Sequence, residues 1–358
     1  MSWLRDVRMA GAAVLLWLLA APAWTQTATP WPEADRLFAP DMAWIGADGG
    51  YSIPLPGNRV LWLFGDTLVD PSRRGRLGHN QMVANSLGLQ TGLDPSTATI
   101  RFLFGRTRTG APAAWFKKSG RYRVWPGGAI IVGNRVLLFL MRVESARDGL
   151  GFRVRGTEPV LIEGLEKEPE QWQVTRMPAL DHGRAITLGS AGLVRHEGYI
   201  FAYGASEPSG QSVYLARWPE SAAMSGRLRQ PEWWTAQGWS SEADPLPLLP
   251  GAGTEFTVHH DAARRTFIQL QTLGFGDATV AWREAPAPQG PWGAASVLYR
   301  PHAAGWWIYQ GKAHPWLTGA PLVATYSTNA PNERELASNP ARYRPRFLRI
   351  DLSAPSPP

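Results

Sequence analysis

The pentapeptide Gly57-Asn58-Arg59-Val60-Leu61 recurs unchanged as Gly133-Asn134-Arg135-Val136-Leu137. Each copy lies between two short apolar runs, GGYSIPL and WLFG in the first, GGAIIV and LFLM in the second. Runs this short and this rich in β-formers, joined through Gly-Asn, predict β-hairpins rather than helices. Looser copies follow at Gly189 to Gly204, Gly253 to Thr272 and Gly311 to Asn329, about 60–80 residues apart. Further strands are expected between them, at Met82 to Leu89, Phe152 to Ile162, Val213 to Trp218, Thr279 to Arg283 and Phe347 to Leu352. Five Gly-led inner hairpins with outer strands predict an all-β, five-bladed β-propeller, because radial repetition limits exposed sheet edges. A β-sandwich pair or a jelly roll would supply β-strands but not this repeat. Residues 163–172 and 219–239 read as insertions, and 24–36 as a leader packed on one blade.

The ends read differently. Arg5 and Arg8 precede the apolar stretch Met9 to Ala21, and Ala21-Pro22-Ala23 supplies a small-x-small cleavage pattern. Residues 1–23 are thus expected to be a signal peptide, 24–352 one propeller domain, and 353–358 a disordered tail. No later run approaches the roughly 20 apolar residues of a membrane span, so the expectation is an exported protein, periplasmic or extracellular, with no stable membrane insertion. The chain has no cysteine, which excludes disulfides and a lipidated N-terminal cysteine. Its net charge of +7 comes from scattered arginines rather than a basic stripe, which argues against a nucleic-acid partner. A monomer is expected.

Two acids stand out against the repeat. Bending the chain at Gly57 and Asn58 brings Asp48 roughly opposite Asp66, and like charges facing across a strand pair are destabilising. The offset between the two GNRVL copies carries Asp66 onto Arg142 and Asp48 onto Val124. The acids are private to the first blade, where a purely structural residue would recur. The plainer reading is that each acid caps a loop. Glu255, in GTEFTV, stands at the head of the fourth inner strand, and His314, in YQGKAHP, at the head of the fifth. Asn85 in MVANSLGL and Asn329 after YST end apolar strands and could bind a ligand or cap turns. Trp44, Trp125 and Trp316 flank inner strands near the expected rim, where indole faces suit sugar rings; core packing is the alternative. No P-loop, dinucleotide fingerprint, HExxH or GxSxG motif is present, so no motif calls for a cofactor.

The hairpin DGGYSIPLPGNRVLWLFGDT, the strand NSLGL, the block GTEFTV, the PQGPW turn and the pair HPWL and YSTN resemble an exported bacterial β-propeller family long labelled a domain of unknown function. Some of its members are described as endo-D-arabinanases, and its wider clan holds the propellers of arabinanases, β-xylosidases and invertases. The resemblance implies a secreted glycoside hydrolase acting on a furanoside-containing polysaccharide, such as an arabinan, through Asp48, Asp66 and Glu255 as catalytic carboxylates. His314, Asn85, Asn329, Trp44, Trp125 and Trp316 would contact substrate. The wider clan's central histidine often helps hold an ion, so a structural ion near His314 is a further implication. WPGGAI in the second blade departs from the clan in offering no acid, so the clan's three-acid mechanism does not transfer simply; inversion is the expected outcome. The alternative is a non-catalytic carbohydrate-binding propeller, which needs no paired acids.

Overall fold

The computed structural model describes residues 27–352 apart from 40, 42, 71, 73–80, 181, 207–211 and 303–304. The expected signal segment 1–23 and tail 353–358 lie outside the described residues.

Five antiparallel sheets form the five blades of a propeller, and in each the first-named strand is innermost. Blade 1 runs Trp44–Leu55, Arg59–Val69, Ser86–Thr91 and Thr99–Leu103, with Gln81–Val83 beside its second strand. Blade 2 is Arg123–Val132, Arg135–Ser145, Phe152–Glu163 and Gln173–Arg176. Blade 3 is Ile186–His196, Tyr199–Ser206, Val213–Pro219, Glu232–Thr235 and Gly238–Ser240. Blade 4 is Thr257–Asp261, Thr266–Leu273, Thr279–Ala285 and Ser296–Tyr299. Blade 5 is Trp307–His314, Leu322–Asn329 and Pro345–Asp351, completed by Thr27–Pro30 from the other end of the chain.

That last pairing closes the ring, with Thr27 opposite Asp351 and Pro30 opposite Leu348. The expected leader is therefore a strand of blade 5. TATP carries no apolar alternation, because an outermost strand buries little on either face. The segment beyond it is pinned when Phe347 N donates to Asp35 Oδ1 at 2.8 Å. Trp31 and Phe38 then pack among Trp44, Trp62, Phe64, Phe102 and Phe347, a buried cluster uniting blades 1 and 5. Residues 219–239 are not an insertion either. They hold the helix Glu220–Met224 and supply Glu232–Thr235 and part of Gly238–Ser240 to blade 3.

The repeated Arg of GNRVL has a repeated job. Arg59 donates to Leu165 O at 2.5 Å and Lys167 O at 3.3 Å, in a loop of blade 2. Arg135 donates to Met224 O at 2.9 Å, in the helix of blade 3. Each arginine ties its blade to the next.

The Gly-led starts of the inner strands also share a cause. Strand register slips between Ala47 and Tyr51 in blade 1, between Leu138 and Leu140 opposite Pro126 to Ala129 in blade 2, between Leu188 and Leu193 in blade 3, and between Tyr309 and Lys312 in blade 5. These are β-bulges, which re-aim side chains and are over-represented next to active sites. The inner strands crowd there as well. A Cβ on Gly128 would fall 2.7 Å from Ala191 O, and one on Gly192 2.9 Å from Val258 N, both backbone atoms of the following blade.

Among the described residues, no helix is long and apolar enough to cross a membrane.

Candidate active site

The bulge in blade 1 sets the geometry of the acids. Ala47 pairs with Thr67 and Gly49 with Phe64, so Asp48 leaves the ladder beside Gly65 and Asp66 instead of standing squarely opposite Asp66. Gly49, at φ 90°, makes that turn at low steric cost. A Cβ on Gly65 would lie 3.7 Å from the Asp48 Cβ, so the strand is glycine where the acid crosses it. The Tyr309 hydroxyl donates to Asp48 Oδ1. Burial pushes the Asp48 carboxyl up to about 7; the Tyr309 bond pulls it back, Asp66 raises it further, Tyr343 lowers it and Glu255 raises it. Asp66 is also raised, again by burial, against the opposing pull of its hydrogen bond from Trp125 and the nearby Arg123 cation. The Trp125 indole N–H donates to Asp66 Oδ1 at 2.7 Å, and the Tyr343 hydroxyl donates to Asp66 O at 2.8 Å.

Gln310 joins Glu255 to this pair. Its Nε2 donates to Glu255 Oε2 at 2.5 Å, while its Oε1 accepts from Gly49 N at 2.6 Å and from Ser327 Oγ at 3.0 Å. One side-chain amide therefore spans from the Asp48 bulge to Glu255. Gln310 has φ 55°, a left-handed conformation uncommon for a residue with a Cβ. Such strain tends to persist where surrounding structure over-determines it, and here three hydrogen bonds hold the amide. Glu255 itself precedes the strand Thr257–Asp261, on the segment that enters blade 4.

Beneath the acids, Tyr51 reaches from blade 1 across the axis, its hydroxyl donating toward Ser190 O at 3.1 Å and Ala191 O at 3.3 Å in blade 3. The Lys312 ammonium lies 3.9 Å from the centre of that ring, wholly buried and without a hydrogen-bond partner. Burial pushes it down to about 8, against the pull of Glu255. Tyr51 and Lys312 form a floor. Farther along the axis is a mainly apolar cavity of about 390 Å³ to which all five inner strands contribute, among them Ile53, Ile130, Val194, Val258 and Ala313.

Asp48, Asp66, Glu255 and Trp125 thus meet at one end of the axis. The other expected site residues do not. His314 is deeper than the acids and fully buried. Its Nδ1 faces Ser52 Oγ at 2.6 Å and its Nε2 faces Thr325 Oγ1 at 2.9 Å. An Nε2–H tautomer satisfies the whole chain, with Trp316 donating to Ser52 at 2.9 Å, Ser52 to His314 and His314 to Thr325. Burial pushes this imidazole down to about 3, with Lys312 and His259 adding to the effect. Both ring nitrogens are engaged and an ammonium is nearby, so these residues do not fit an ion held by His314. Among the described residues no cluster of His, Asp and Glu has the makings of a metal site. Trp44 is a core residue, stacked 4.0 Å from Phe102 and donating to Ser86 Oγ at 3.1 Å. Trp316 belongs to the axial cavity beyond the floor. Asn85 is fully buried and spends its amide on the backbone of Phe116 and Val124. Asn329 accepts from Ala330 N at 2.8 Å, and its side chain hydrogen-bonds the Tyr309 hydroxyl, whose pKa burial and Asp48 raise and Asn329 only partly offsets, so it acts on Tyr309.

Tyr309, Gln310, Tyr343, Arg123 and Lys312 complete the site and did not stand out in the sequence. The available signal for Gln310 was the Gln-Gly step before Lys312, which matches Asp48-Gly49 as the last residue before a bulge glycine.

The sequence resembles known chains mainly through the fold. A candidate hydrolase from Bacteroides ovatus ATCC 8483 superposes with a TM-score of 0.71 at 20% identity, covering 96% of this chain and 96% of that one. An exo-1,5-α-L-arabinanase from a bovine ruminal metagenomic library superposes with a TM-score of 0.52 at 9% identity, covering 87% of this chain and 94% of that one. At these identities the likeness is one of fold, and it agrees with the five-bladed ring. No curated protein matches the sequence. The model of one family, described as a domain of unknown function (DUF5005), matches residues 33–352, and the chain belongs to that family.

Proposed function

We propose that this propeller is an exported glycoside hydrolase that cleaves a furanoside-containing polysaccharide, with arabinan the first substrate to test. One observation carries the proposal: three carboxylates from blade 1 and the entry to blade 4 converge at one end of the axis, and one of them is driven up to about 7. Glycoside hydrolysis asks for such a division of labour, a carboxylic acid that keeps its proton and a second carboxylate that activates water. Asp48 is the general acid and gives its proton to the leaving glycosidic oxygen. Glu255, held by Gln310, takes a proton from the water whose oxygen bonds to the anomeric carbon. Burial keeps the Asp48 pKa high, and the Asp66 charge adds to it. The Trp125 indole offers an apolar face for a sugar ring. The arabinanase among the similar folds supports the choice of substrate. The acid-poor head of blade 2 supports inversion.

The test is to incubate the purified protein with arabinan, arabinoxylan and xylan. New oligosaccharides should be released, with inverted anomers in the first seconds by NMR. Loss of that release in Asp48→Asn would tie it to the site. A protein that binds these glycans and releases nothing would put the non-catalytic binding propeller ahead.

A further inference from the structure

A second cavity opens beside Asp66, between the heads of blades 1 and 2, with a volume of about 530 Å³. Its lining is apolar at Met82, Val83, Pro112, Ala113, Ala114 and Phe116. Lys117, Lys118 and Arg123 add cations to that lining, and Asp66 adds a carboxyl group. The chain has only four lysines, and two of them are here.

These charges are unspent. Among the described residues, none of the three cations has an ion-pair partner; Glu158, which accepts from Ser119 in the same loop, is paired with Arg176 at 2.7 Å. Arg176 also donates to Lys117 O, which fixes the loop backbone and leaves the ammonium groups exposed. Burial raises the Asp66 pKa and the Arg123 charge opposes that shift, but the two side chains form no ion pair, and the Trp125 N–H donates to Asp66 Oδ1. The Arg123 guanidinium instead lies 5.2 Å from the Trp125 ring centre, with a buried, unpartnered Nε.

The wall is built before any ligand arrives. Asn85 Oδ1 accepts from Phe116 N at 2.7 Å, and its Nδ2 donates to Phe116 O at 3.1 Å and Val124 O at 2.8 Å. The buried asparagine thereby clamps the Phe116 to Lys118 loop against the Arg123 strand. Such preorganisation lowers the ordering cost of binding.

We infer that this cleft is a subsite for an anionic substituent, a carboxylate or phosphate, on the glycan whose neighbouring sugar reaches Asp66. The inference rests on the glycan-hydrolase reading for the identity of the ligand. A cleft that combines apolar surface with cations suits a sugar ring that carries a negative group, and a neutral polymer would leave both lysines unpaired. Within the furanoside-containing polysaccharides, those bearing acidic substituents are then the preferred ligands.

The experiment uses two matched pairs of probes. One is a glucuronic-acid-bearing xylo-oligosaccharide and its carboxyl-reduced form. The other is a phosphate-bearing manno-oligosaccharide and its dephosphorylated form. Binding is read by calorimetry on wild-type protein and on Asp48→Asn, which allows affinity to be measured without turnover. The charged member of at least one pair should bind about tenfold more tightly at low salt, three exposed charge contacts being worth little each. Raising the salt should erase most of that preference. Which pair responds distinguishes carboxylate from phosphate. The preference should vanish in the triple variant Lys117→Ser, Lys118→Ser, Arg123→Gln. Equal affinity within both pairs, or a preference that survives the triple variant, overturns the inference. A charged-ligand preference in a protein that hydrolyses no polysaccharide would sink the hydrolase reading and leave the anionic subsite standing.

Discussion

Blades 1 and 2 begin with the same hairpin sequence and end with different chemistry. Both inner strands bulge near the axis, both hairpins turn through Gly-Asn-Arg, and both arginines reach the following blade. At the mouth they diverge. Blade 1 presents Asp48 and Asp66, half-buried and shifted upward. Blade 2 presents Trp125, which donates to Asp66, and has Arg142 at the repeat position of Asp66. Arg142 donates to Arg155 O at 2.9 Å and faces solvent. The repeated residues are those that close turns, permit bulges and join blades, whereas the private ones do the site's work. On the proposed function, the chemistry is carried by exceptions to a repeat.

The largest effect should come from exchanging the exceptions. Asp48→Asn keeps the bulge and removes the transferable proton, so hydrolysis should fall by about 10²–10⁴-fold, the usual share of a general acid. Arg142→Ala, at the head of blade 2, should leave turnover within experimental error. Initial rates on the polysaccharide that proves to be the substrate provide the comparison. Comparable losses in both variants would mean that the two heads act as one structural rim.

The same pair of blades should differ in how stability responds to pH. The folded Asp48 pKa of about 7 is above its ordinary value of 3.8. The native state then binds more protons than the unfolded state between these values, and stability falls as pH rises through that window. His314 acts in the opposite sense. With a folded pKa of about 3 against 6.5, it contributes stability that rises with pH between those values. The wild-type curve mixes the two groups, so the informative quantity is its difference from Asp48→Asn. That variant should match wild type near pH 4 and exceed it increasingly toward pH 7, by a gap on the order of a few kcal/mol. Denaturant melts at three pH values would measure it. A gap that stays constant or opens toward acid would mean that Asp48 is not held protonated by burial. Arg142→Ala should show no such trend.

Much of this organisation is written in the sequence, and the omissions have physical causes. The Gly-led hairpins were legible because bulges and close strand approach at Gly128 and Gly192 leave no room for a Cβ. Asp48 and Asp66 were legible because they break a repeat. Thr27–Pro30 was not, since an outermost strand needs backbone pairing but little apolar pattern. Gln310 and Tyr309 were hidden because their roles depend on a bulge in blade 5 that re-aims consecutive side chains. Tyr343 follows the short helical turn Pro340–Arg342, so no spacing connects it to Asp66. His314 was placed too near the mouth because the four residues that separate it from Gln310, the residue at the Asp48 level, are invisible without the register.

Shared features should fail alike in both blades. Gly128→Ala puts a Cβ 2.7 Å from Ala191 O, a backbone atom that cannot rotate away. Gly49→Ala meets ordinary contact distances but forces an L side chain to φ 90°. Each should cost about 1–3 kcal/mol, the range for overpacking or a strained backbone. Only Gly49→Ala should also lower turnover, because it moves the Asp48 bulge. Urea melts and initial rates on both variants separate the shared architecture from the private site. A Gly49→Ala protein with full turnover would uncouple the bulge from the acid.

The smallest effect belongs to the residue that the two blades share most literally. Arg59 and Arg135 occupy the same place in GNRVL, and each donates to backbone carbonyls of the next blade. Hydrogen bonds from a charged donor are worth about 1.5–3 kcal/mol when buried. These arginines are only partly covered, and the Arg135–Glu163 ion pair at 2.7 Å joins side chains 37% and 35% exposed, so water and salt screen much of the gain. Arg59→Ala and Arg135→Ala should each lower stability by about 1 kcal/mol, and the double variant should approach the sum because the two contacts involve different blade junctions. Turnover per folded molecule should not change, because neither side chain approaches the carboxylates. Thermal melts of the two singles and the double would decide. A loss confined to Arg59→Ala would mean that the junction of blades 1 and 2, which also carries the cationic cleft, is held differently from its neighbour despite the identical turn.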